Sequence, residues 1–437
     1  MKVIFKEHAK PDGSFLAEIK LHRPAALNAL DLEMILQIKN KLNQWKKTPN
    51  LSAVFLHGEG DKAFCAGGDI KDIYSAILLA RKNNKDPGEA VQTFFENEYR
   101  LNYLMHTYPF PIITWGHGFI MGGGLGLFLA SSHKIMTEDS SLSMPEINIG
   151  FFPDVGVSHT LSRLPEGIGL YLALTGCRIN YQEAQNLGMA NFYFKNTEKE
   201  KVLQNLISSF FTNKEEMTLI LKKLQKTNTY RTNIKMAPLQ KPSVPLGTSV
   251  PKRRPESSNQ ADILAENWIE KQKDNITSLL KSNKLNLESL SPFLREPTSI
   301  NSKKIRPTDT QVRPETLHCF SIKNIHKKFY DSLIEKDKKW EKNRKAFLQG
   351  SPTSAGIICE QLKRARNKTL KEVFQTDLVL ALNFARGSEF SEGVRALLLE
   401  KNSTPVWKPN SVELLTEEKI QQYFCYDPGW INPLQEL

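Results

Sequence analysis

Short apolar runs separated by amphipathic stretches make up the first half of the chain. Val3 to His8 and Phe15 to His22 alternate apolar and polar residues on either side of Pro11-Asp-Gly-Ser14, a pattern that predicts a β-hairpin. Asp31 then stands as a helix N-cap. The apolar residues that follow it recur at helical spacing and predict one buried stripe: Ile35, Ile38, Leu42 and Trp45. Strands alternating with helices to about residue 195 indicate an α/β fold.

The composition of the chain changes after Asn196. Lys201 to Leu224 is lysine-rich and amphipathic. Lys235 to Ser258 is rich in Pro, Ser, Thr and Lys, which is typical of an exposed loop or linker. The remaining sequence is mainly basic with helical periodicity and shows no internal repeat. We therefore expect a mainly α-helical region after the α/β part.

Two glycine-rich turns follow strand-like runs and open helices. One is Gly67-Gly68, in the stretch Lys62 to Ile70, and the other is Gly122-Gly123-Gly124. A strand, a glycine turn and a helix leave free N–H groups at the helix start. Each turn can give one backbone N–H to the same substrate oxygen and stabilise negative charge on it. The alternative is that these glycines only let a helix pack closely on a sheet.

Two carboxylates follow the second turn. Glu146 and Asp154 lie in Met144-Pro-Glu-Ile-Asn-Ile-Gly-Phe-Phe-Pro-Asp-Val-Gly156. Oxyanion donors beside two carboxylates indicate acid–base or nucleophilic work on a carbonyl compound, whereas two surface acids are the simpler interpretation. Glu98 lies on a predicted helix, where a glutamate usually belongs to a solvated face. Cys65 could be read as a nucleophile, but no histidine is positioned in the sequence as its base. We therefore expect Cys65, which lies in an apolar strand, to belong to the core.

The net charge and the cysteine spacing limit the binding partners and the cellular compartment that we expect for this protein. The 437 residues carry a formal net charge of +12, an excess that can attract nucleic acid, anionic lipid or a phosphorylated cofactor. Nucleic acid is disfavoured because Lys252-Arg-Arg-Pro255 has no aromatic platform or zinc spacing beside it. The five dispersed cysteines argue against a disulfide framework or a structural zinc site. The N-terminus lacks a secretory apolar core and no stretch is long enough to span a bilayer, so we expect a cytoplasmic protein.

These motifs together resemble a known family. Phe64-Cys-Ala-Gly-Gly-Asp-Ile70, Met121-Gly-Gly-Gly124 and Met144-Pro-Glu146 are similar to the crotonase, or enoyl-CoA hydratase/isomerase, superfamily. Within it, Phe94-Phe-Glu-Asn-Glu-Tyr99 and Leu172-Ala-Leu-Thr-Gly176 resemble the 3-hydroxyisobutyryl-CoA hydrolases. The resemblance covers about residues 3 to 195 and 317 to 424. It implies a crotonase-like catalytic core at 1–196, a divergent basic helical or linker region at 197–316, and a C-terminal helical region at 317–437.

The resemblance also implies a fold and a set of site residues. The family fold is a spiral of β-β-α units, with a helical region that covers the site or mediates oligomers. By resemblance, the N–H groups of Gly68 and Gly123 bind the thioester oxygen. Carboxylates around the substrate are implied at three positions: Glu98, Glu146 and Asp154. The stretch implied to run along coenzyme A contains Ala66, Asp69 and Ile70. The part assigned to Glu98 depends on the resemblance alone.

The carboxylates indicate which thioester reaction to expect. Hydratases of this superfamily carry a second glutamate where this chain has Gly126, and a glycine where it has Asp154. We therefore expect hydrolysis of a short β-hydroxyacyl-CoA, foremost 3-hydroxyisobutyryl-CoA of valine degradation, with Glu146 as base or nucleophile and Asp154 orienting. Val157 and His159 depart from the family pattern and leave the acyl group open.

Two other functions stay open. One is an enoyl-CoA hydratase or isomerase that uses Glu146 alone, and the other is a non-catalytic acyl-CoA-binding scaffold. In each case the expected partner is an acyl-CoA, whose phosphates suit a basic protein. Coenzyme A is part of the substrate, so no separate cofactor and no metal are expected. Neither nucleic acid nor a membrane is expected as a partner, and a homo-oligomer is possible by resemblance.

Overall fold

A computed structural model describes residues 1–165, 167–229, 338–400 and 403–437. The expected linker at Lys235 to Ser258, with its Lys252-Arg-Arg-Pro255 cluster, lies outside the described residues. So does most of the region 197–316.

A six-stranded sheet forms the base of the α/β part. Its strands are β1 (Val3–Ala9), β2 (Phe15–Leu21), β3 (Leu51–Gly58), β5 (Ile112–Gly116), β7 (His133–Met136) and β9 (Phe192–Tyr193), paired in that order. β1 and β2 pair antiparallel, with Val3 opposite Leu21 and Ala9 opposite Phe15, so the predicted hairpin is confirmed. All other neighbours are parallel.

A second, three-stranded parallel sheet lies against the first. It consists of β4 (Ala63–Cys65), β6 (Phe119–Met121) and β8 (Ser141–Ser143). Each of these strands directly follows a strand of the first sheet along the chain, and each is followed by a helix or a helical turn. The chain therefore repeats a β-β-α unit three times. Because the short strands are parallel, the segments that leave their carboxyl ends emerge at one edge of the second sheet.

The first helix matches the predicted pattern. α1 (Leu32–Trp45) begins where the Asp31 side chain accepts a hydrogen bond from Met34 N at 2.9 Å. This bond satisfies one of the N–H groups that a helix start leaves unpaired. The four residues of the predicted stripe are all buried in the main core.

Helices cover both sheets and make up most of the described C-terminal part. The remaining helices are α2 (Ile70–Lys82), α3 (Pro87–His106), α4 (Gly123–Ala130), α5 (Val157–Leu161), α6 (Ile168–Thr175), α7 (Tyr181–Asn186), α8 (Lys199–Ser208), α9 (Lys214–Thr229), α10 (Lys338–Gln349), α11 (Pro352–Ala365), α12 (Leu370–Arg386), α13 (Glu389–Val394) and α14 (Glu417–Tyr423). The expected α/β class with a mainly helical C-terminal region is confirmed.

The C-terminal helices share an apolar core with the α/β part. α12 packs along α3, and both α11 and α12 contact α5. Phe384 of α12 lies 5.3 Å from Phe152, measured between ring centroids, and Phe390 of α13 lies 5.0 Å from Phe151. α8 and α9 cover the other face of the six-stranded sheet in a smaller cluster. Helices from the N-terminal and the C-terminal parts of the chain therefore surround the edge of the second sheet at which α2 and α4 begin.

Candidate active site

The turn after β4 presents one backbone N–H group between two paired neighbours. Leu30 N donates to Gly67 O at 2.8 Å, and Asp69 N donates to Leu30 O at 2.7 Å. Gly68 lies between these bonds, and its own N–H donates to no residue that the structure describes. Gly67 has a φ of +112°, a conformation suited to glycine. The turn therefore leaves the Gly68 N–H available.

The turn after β6 supplies a second N–H group beside the first. Gly122, with φ +51°, leads into α4, whose first residue is Gly123. N–H groups in a first helical turn have no acceptor within their helix, and none of the described residues accepts from Gly123 N. A Cβ built on Gly123 lies 3.4 Å from Gly68 N, and one built on Gly67 lies 3.6 Å from Gly123 N. The two N–H groups thus border one small space.

Two carboxyl groups lie directly against these glycines. A Cβ built on Gly123 would lie 2.2 Å from Glu98 Oε1, and one built on Gly122 would lie 3.0 Å from Glu146 Oε1. Glu98 projects from α3, and Glu146 opens the 3₁₀ turn Glu146–Ile149 that follows β8. The structure therefore brings Gly68, Gly123, Glu98 and Glu146 together, although four separate elements carry them.

Asp154 completes the carboxyl cluster from the turn that precedes α5. The Tyr99 hydroxyl donates to Asp154 Oδ2 at 2.8 Å. Glu98, Glu146 and Asp154 are 2%, 7% and 5% exposed. Glu98 Oε1 and Glu146 Oε2 have no hydrogen-bond partner among the described residues. A buried polar atom without a partner is costly, so these two oxygens mark where a polar substrate group would fit.

Burial raises the pKa values of the three carboxyl groups. Burial, and then the charge of Asp154, raise the pKa of Glu98 well above its usual range. Burial, followed by the charges of Asp154 and Glu98, does the same to the pKa of Glu146. Burial raises the pKa of Asp154 to about 7, and the hydrogen bond from Tyr99 opposes that rise. Asp154 can therefore give and take a proton near neutral pH.

The position of a second hydratase glutamate is filled by other atoms. A Cβ built on Gly126 would lie 2.7 Å from Val155 Cβ and 2.9 Å from Asn102 Oδ1. Real Cβ atoms essentially never approach other atoms this closely. A glutamate at position 126 would therefore need both neighbours to move.

The expected coenzyme A stretch continues from the Gly68 turn along the surface. Ala66, Asp69 and Ile70 are partly exposed. Ala66 N donates to Leu27 O at 3.0 Å, and Asp69 Oδ2 accepts from Arg23 Nη2 at 3.0 Å. The three residues are thus contiguous with the Gly67-Gly68 turn and lie outside the buried carboxyl cluster.

Other candidate chemistry finds less support in the described residues. Burial raises the pKa of Cys65 to about 12, so its thiol stays protonated at neutral pH. Within the ranges the structure describes, no group of three or more His, Cys, Asp or Glu residues is placed to hold a metal ion. The helices in those ranges also include none that is long and apolar enough to cross a bilayer.

Three residues of the site region were missed by the sequence analysis. The Tyr99 hydroxyl donates to Asp154, whereas in the sequence Tyr99 was only the last residue of a family-like motif and had no role assigned to it. Gln361 and Asp377 contact the backbone on either side of Asp154 from the C-terminal helices. No local pattern pointed to them, since they lie more than 200 positions away.

Comparison with known proteins identifies the family to which this chain belongs. The chain belongs to the enoyl-CoA hydratase/isomerase family, whose sequence model matches residues 16–245 and 257–424. Two solved structures share the fold. A carnitinyl-CoA dehydratase from Mycobacterium thermoresistibile has a TM-score of 0.68 at 20% identity over 98% of this chain and 97% of its own. An enoyl-CoA hydratase from Rhodobacter sphaeroides 2.4.1 has a TM-score of 0.64 at 22% identity over 97% of each.

Within this class, the chain is similar to one set of curated relatives. Proteins named 3-hydroxyisobutyryl-CoA hydrolase, mitochondrial, are 32% identical in Mus musculus and 30% identical in Homo sapiens, over 93% of this chain and 85% of theirs. The matched residues include most of 197–316, so the likeness extends farther than the sequence motifs indicated. The relatives are named mitochondrial, and the expected cytoplasmic location of this chain stays a prediction.

Proposed function

We propose that the protein hydrolyses the thioester of a short β-hydroxyacyl-CoA, foremost 3-hydroxyisobutyryl-CoA. The observation that carries the proposal is Asp154, buried and bonded to Tyr99 in the same cluster as Glu146 and the two free glycine N–H groups. The names of the curated relatives support the same reaction.

The oxyanion is assigned to the glycine turns. The thioester carbonyl oxygen accepts from Gly68 N and Gly123 N, and these donors stabilise it as it becomes an anion in the tetrahedral intermediate. One such donor lowers the activation barrier by about 3 kcal/mol. Both N–H groups are fixed by backbone structure before substrate binds, so little reorganisation is needed during the reaction.

The proton and bond changes are assigned to Glu146. As a general base, it takes a proton from water as the water oxygen bonds to the carbonyl carbon. The C–S bond then breaks and the proton passes to the leaving CoA sulfur. As a nucleophile, its carboxylate attacks the carbonyl carbon, expels CoA and forms a mixed anhydride that water hydrolyses. Its raised pKa makes it a strong base once ionised.

Asp154 and Glu98 are assigned to orientation and recognition. The ionised Asp154 accepts from the water or the substrate hydroxyl, in the position that Tyr99 fixes. Glu98 is assigned to the β-hydroxyl group, since its Oε1 lies beside Gly123 and has no hydrogen-bond partner among the described residues. A hydratase reaction is disfavoured because Val155 and Asn102 fill the place of its second glutamate.

Thiol release from a panel of thioesters tests the proposal. We expect fast release from 3-hydroxyisobutyryl-CoA and 3-hydroxypropionyl-CoA, and no hydration of crotonyl-CoA. Glu146→Gln should abolish release while CoA still binds. Glu33→Gln, which changes an exposed glutamate on α1, should match the wild type. Hydration of crotonyl-CoA without thiol release would return the protein to the hydratases. Tight CoA binding with no turnover would favour the non-catalytic scaffold.

A further inference from the structure

The turn that carries Asp154 has an unfavourable backbone. Val155 has a φ of +50° and is 1% exposed. A β-branched side chain is strongly disfavoured in this left-handed region. Such a conformation persists only where surrounding contacts determine it, and it is found most often at functional sites. The turn therefore depends on whatever holds its two ends.

Two buried residues of the C-terminal helices hold those ends. Gln361 Nε2, from α11, donates to Pro153 O at 2.9 Å and also to Asp377 Oδ1 at 3.0 Å. Asp377 Oδ2, from α12, accepts from Gly156 N at 2.9 Å. Gln361 is 2% exposed and Asp377 is fully buried. The carbonyl before Asp154 and the second N–H after it are thus tied to one linked pair of side chains.

The same helix also supports the turn from below. A Cβ built on Gly156, whose φ is +75°, would lie 2.7 Å from Cζ of Phe374 on α12. The ring leaves no room for a side chain there, so the backbone can follow only a narrow path. The hydrogen bonds therefore fix the two ends of the turn, and the Phe374 ring limits how closely the backbone at Gly156 can approach α12.

We propose that Gln361 and Asp377 are positioning residues that hold the Pro153–Gly156 backbone so that Asp154 meets the Tyr99 hydroxyl. The proposal rests on the proposed function of Asp154. Neither residue touches the carboxyl cluster through a hydrogen bond among the described residues. Gln361 therefore acts through the turn, whereas the carboxyl of Asp377 also interacts with the charge of Asp154. If the clamp is released, the strained Val155 can relax and Asp154 moves away from its donor.

The variant Gln361→Met tests the clamp without replacing an ionisable side chain. Methionine has a similar length and no donor, so Pro153 O and Asp377 Oδ1 both lose their partner. We expect kcat for thiol release to fall roughly 10- to 100-fold, the loss typical of a misplaced site group, with KM within about threefold. The acid side of the pH–rate profile should move to higher pH, as in Tyr99→Phe, because Asp154 loses the bond that favours its ionised form.

A double variant and a matched control separate positioning from general stability. In the Tyr99→Phe background, Gln361→Met should move the acid side no further, because the bond it protects is already gone. Asn383→Leu is the control: this α12 amide bridges Tyr423 O and Cys425 O, away from the carboxyl cluster. We expect it to lower the melting temperature and leave kcat and the pH profile unchanged.

Amide hydrogen exchange of Gly156 supplies a readout that needs no turnover. Gln361→Met should speed exchange in a peptide spanning 152–158, and Asn383→Leu should not. Unchanged Gly156 exchange, or an equal shift of the acid side with and without Tyr99, would overturn the clamp. If the wild type releases no thiol from any thioester, the proposed function fails, and the exchange measurement alone then decides whether the clamp exists.

Discussion

Removing one hydroxyl should shift the pH dependence of the whole site. Tyr99 OH donates to Asp154 Oδ2 at 2.8 Å, and both residues are buried. With this bond in place, the pKa of Asp154 is about 7. The bond favours the ionised form, since a carboxylate accepts it more strongly than a carboxylic acid does. Tyr99→Phe removes the donor and should raise the pKa of Asp154.

The size of the shift follows from the strength of such bonds. A hydrogen bond to a charged group contributes about 1.5–3 kcal/mol, and 1.36 kcal/mol corresponds to one pKa unit. Tyr99→Phe should therefore move the acid side of the profile upward by about one to two pH units. At neutral pH the variant is then mostly protonated at Asp154 and slow, and its rate recovers at higher pH.

The assay is thiol release measured as kcat/KM across the pH range. This ratio reports ionisations of the free enzyme. Tyr108→Phe is the matched control, because the buried Tyr108 hydroxyl donates to Leu42 O at 2.8 Å, remote from the carboxyl cluster. We expect its profile to match the wild type. An unchanged acid side in Tyr99→Phe would refute the role given to this bond.

Three further outcomes follow from the contacts. Gly123→Ala keeps its backbone N–H but adds a Cβ 2.2 Å from Glu98 Oε1, so the start of α4 must shift. A displaced N–H should lower kcat by roughly 100- to 1000-fold, the cost of losing one oxyanion donor, and wild-type rates would contradict the assignment. Gly126→Glu should destabilise the fold by about 1–3 kcal/mol through overpacking against Val155, with no crotonyl-CoA hydration in the hydratase assay. Glu18→Gln tests acid stability by urea unfolding. Hydrogen bonds donated by the rings of His57 and His8 lower the pKa of Glu18 from 4.5 to about 2, so the variant should lose about 3 kcal/mol at pH 7. That loss should shrink as pH falls from 4.5 towards 2, and a loss equal at pH 7 and pH 2 would exclude the cause.

Sequence reasoning predicted those parts of the fold and of the site that depend on neighbouring residues in the chain. The hairpin depends on alternation around one turn, and the stripe of α1 depends on helical spacing behind Asp31. The Gly67 turn needs a conformation that glycine supplies. Each signal lies within a few residues of the feature it predicts, so it survives whatever the rest of the chain does.

Glu98 shows where local chemistry stops being informative. Its helix is amphipathic, and a glutamate on such a helix belongs to the solvated face unless a further layer covers that face. In the structure α12 packs along α3 and α4 contacts α3 as well, so Glu98 is 2% exposed. The spacing of residues in α3 does not contain the position of α12. The burial that raises the pKa of Glu98 is therefore a tertiary property, and only the family resemblance named Glu98 as a candidate site residue.

Gln361 and Asp377 carry the same argument further. Each is a polar residue on an amphipathic helix, and nothing near it in the sequence distinguishes it from a surface position. Their burial arises because α11 and α12 both pack on α5, directly behind the turn with Val155 at φ +50°. The strained backbone at Val155 is thus held in place by side chains that lie more than 200 positions further along the chain. If those contacts fix Asp154, docking of the C-terminal helices and completion of the carboxyl cluster are one event in folding.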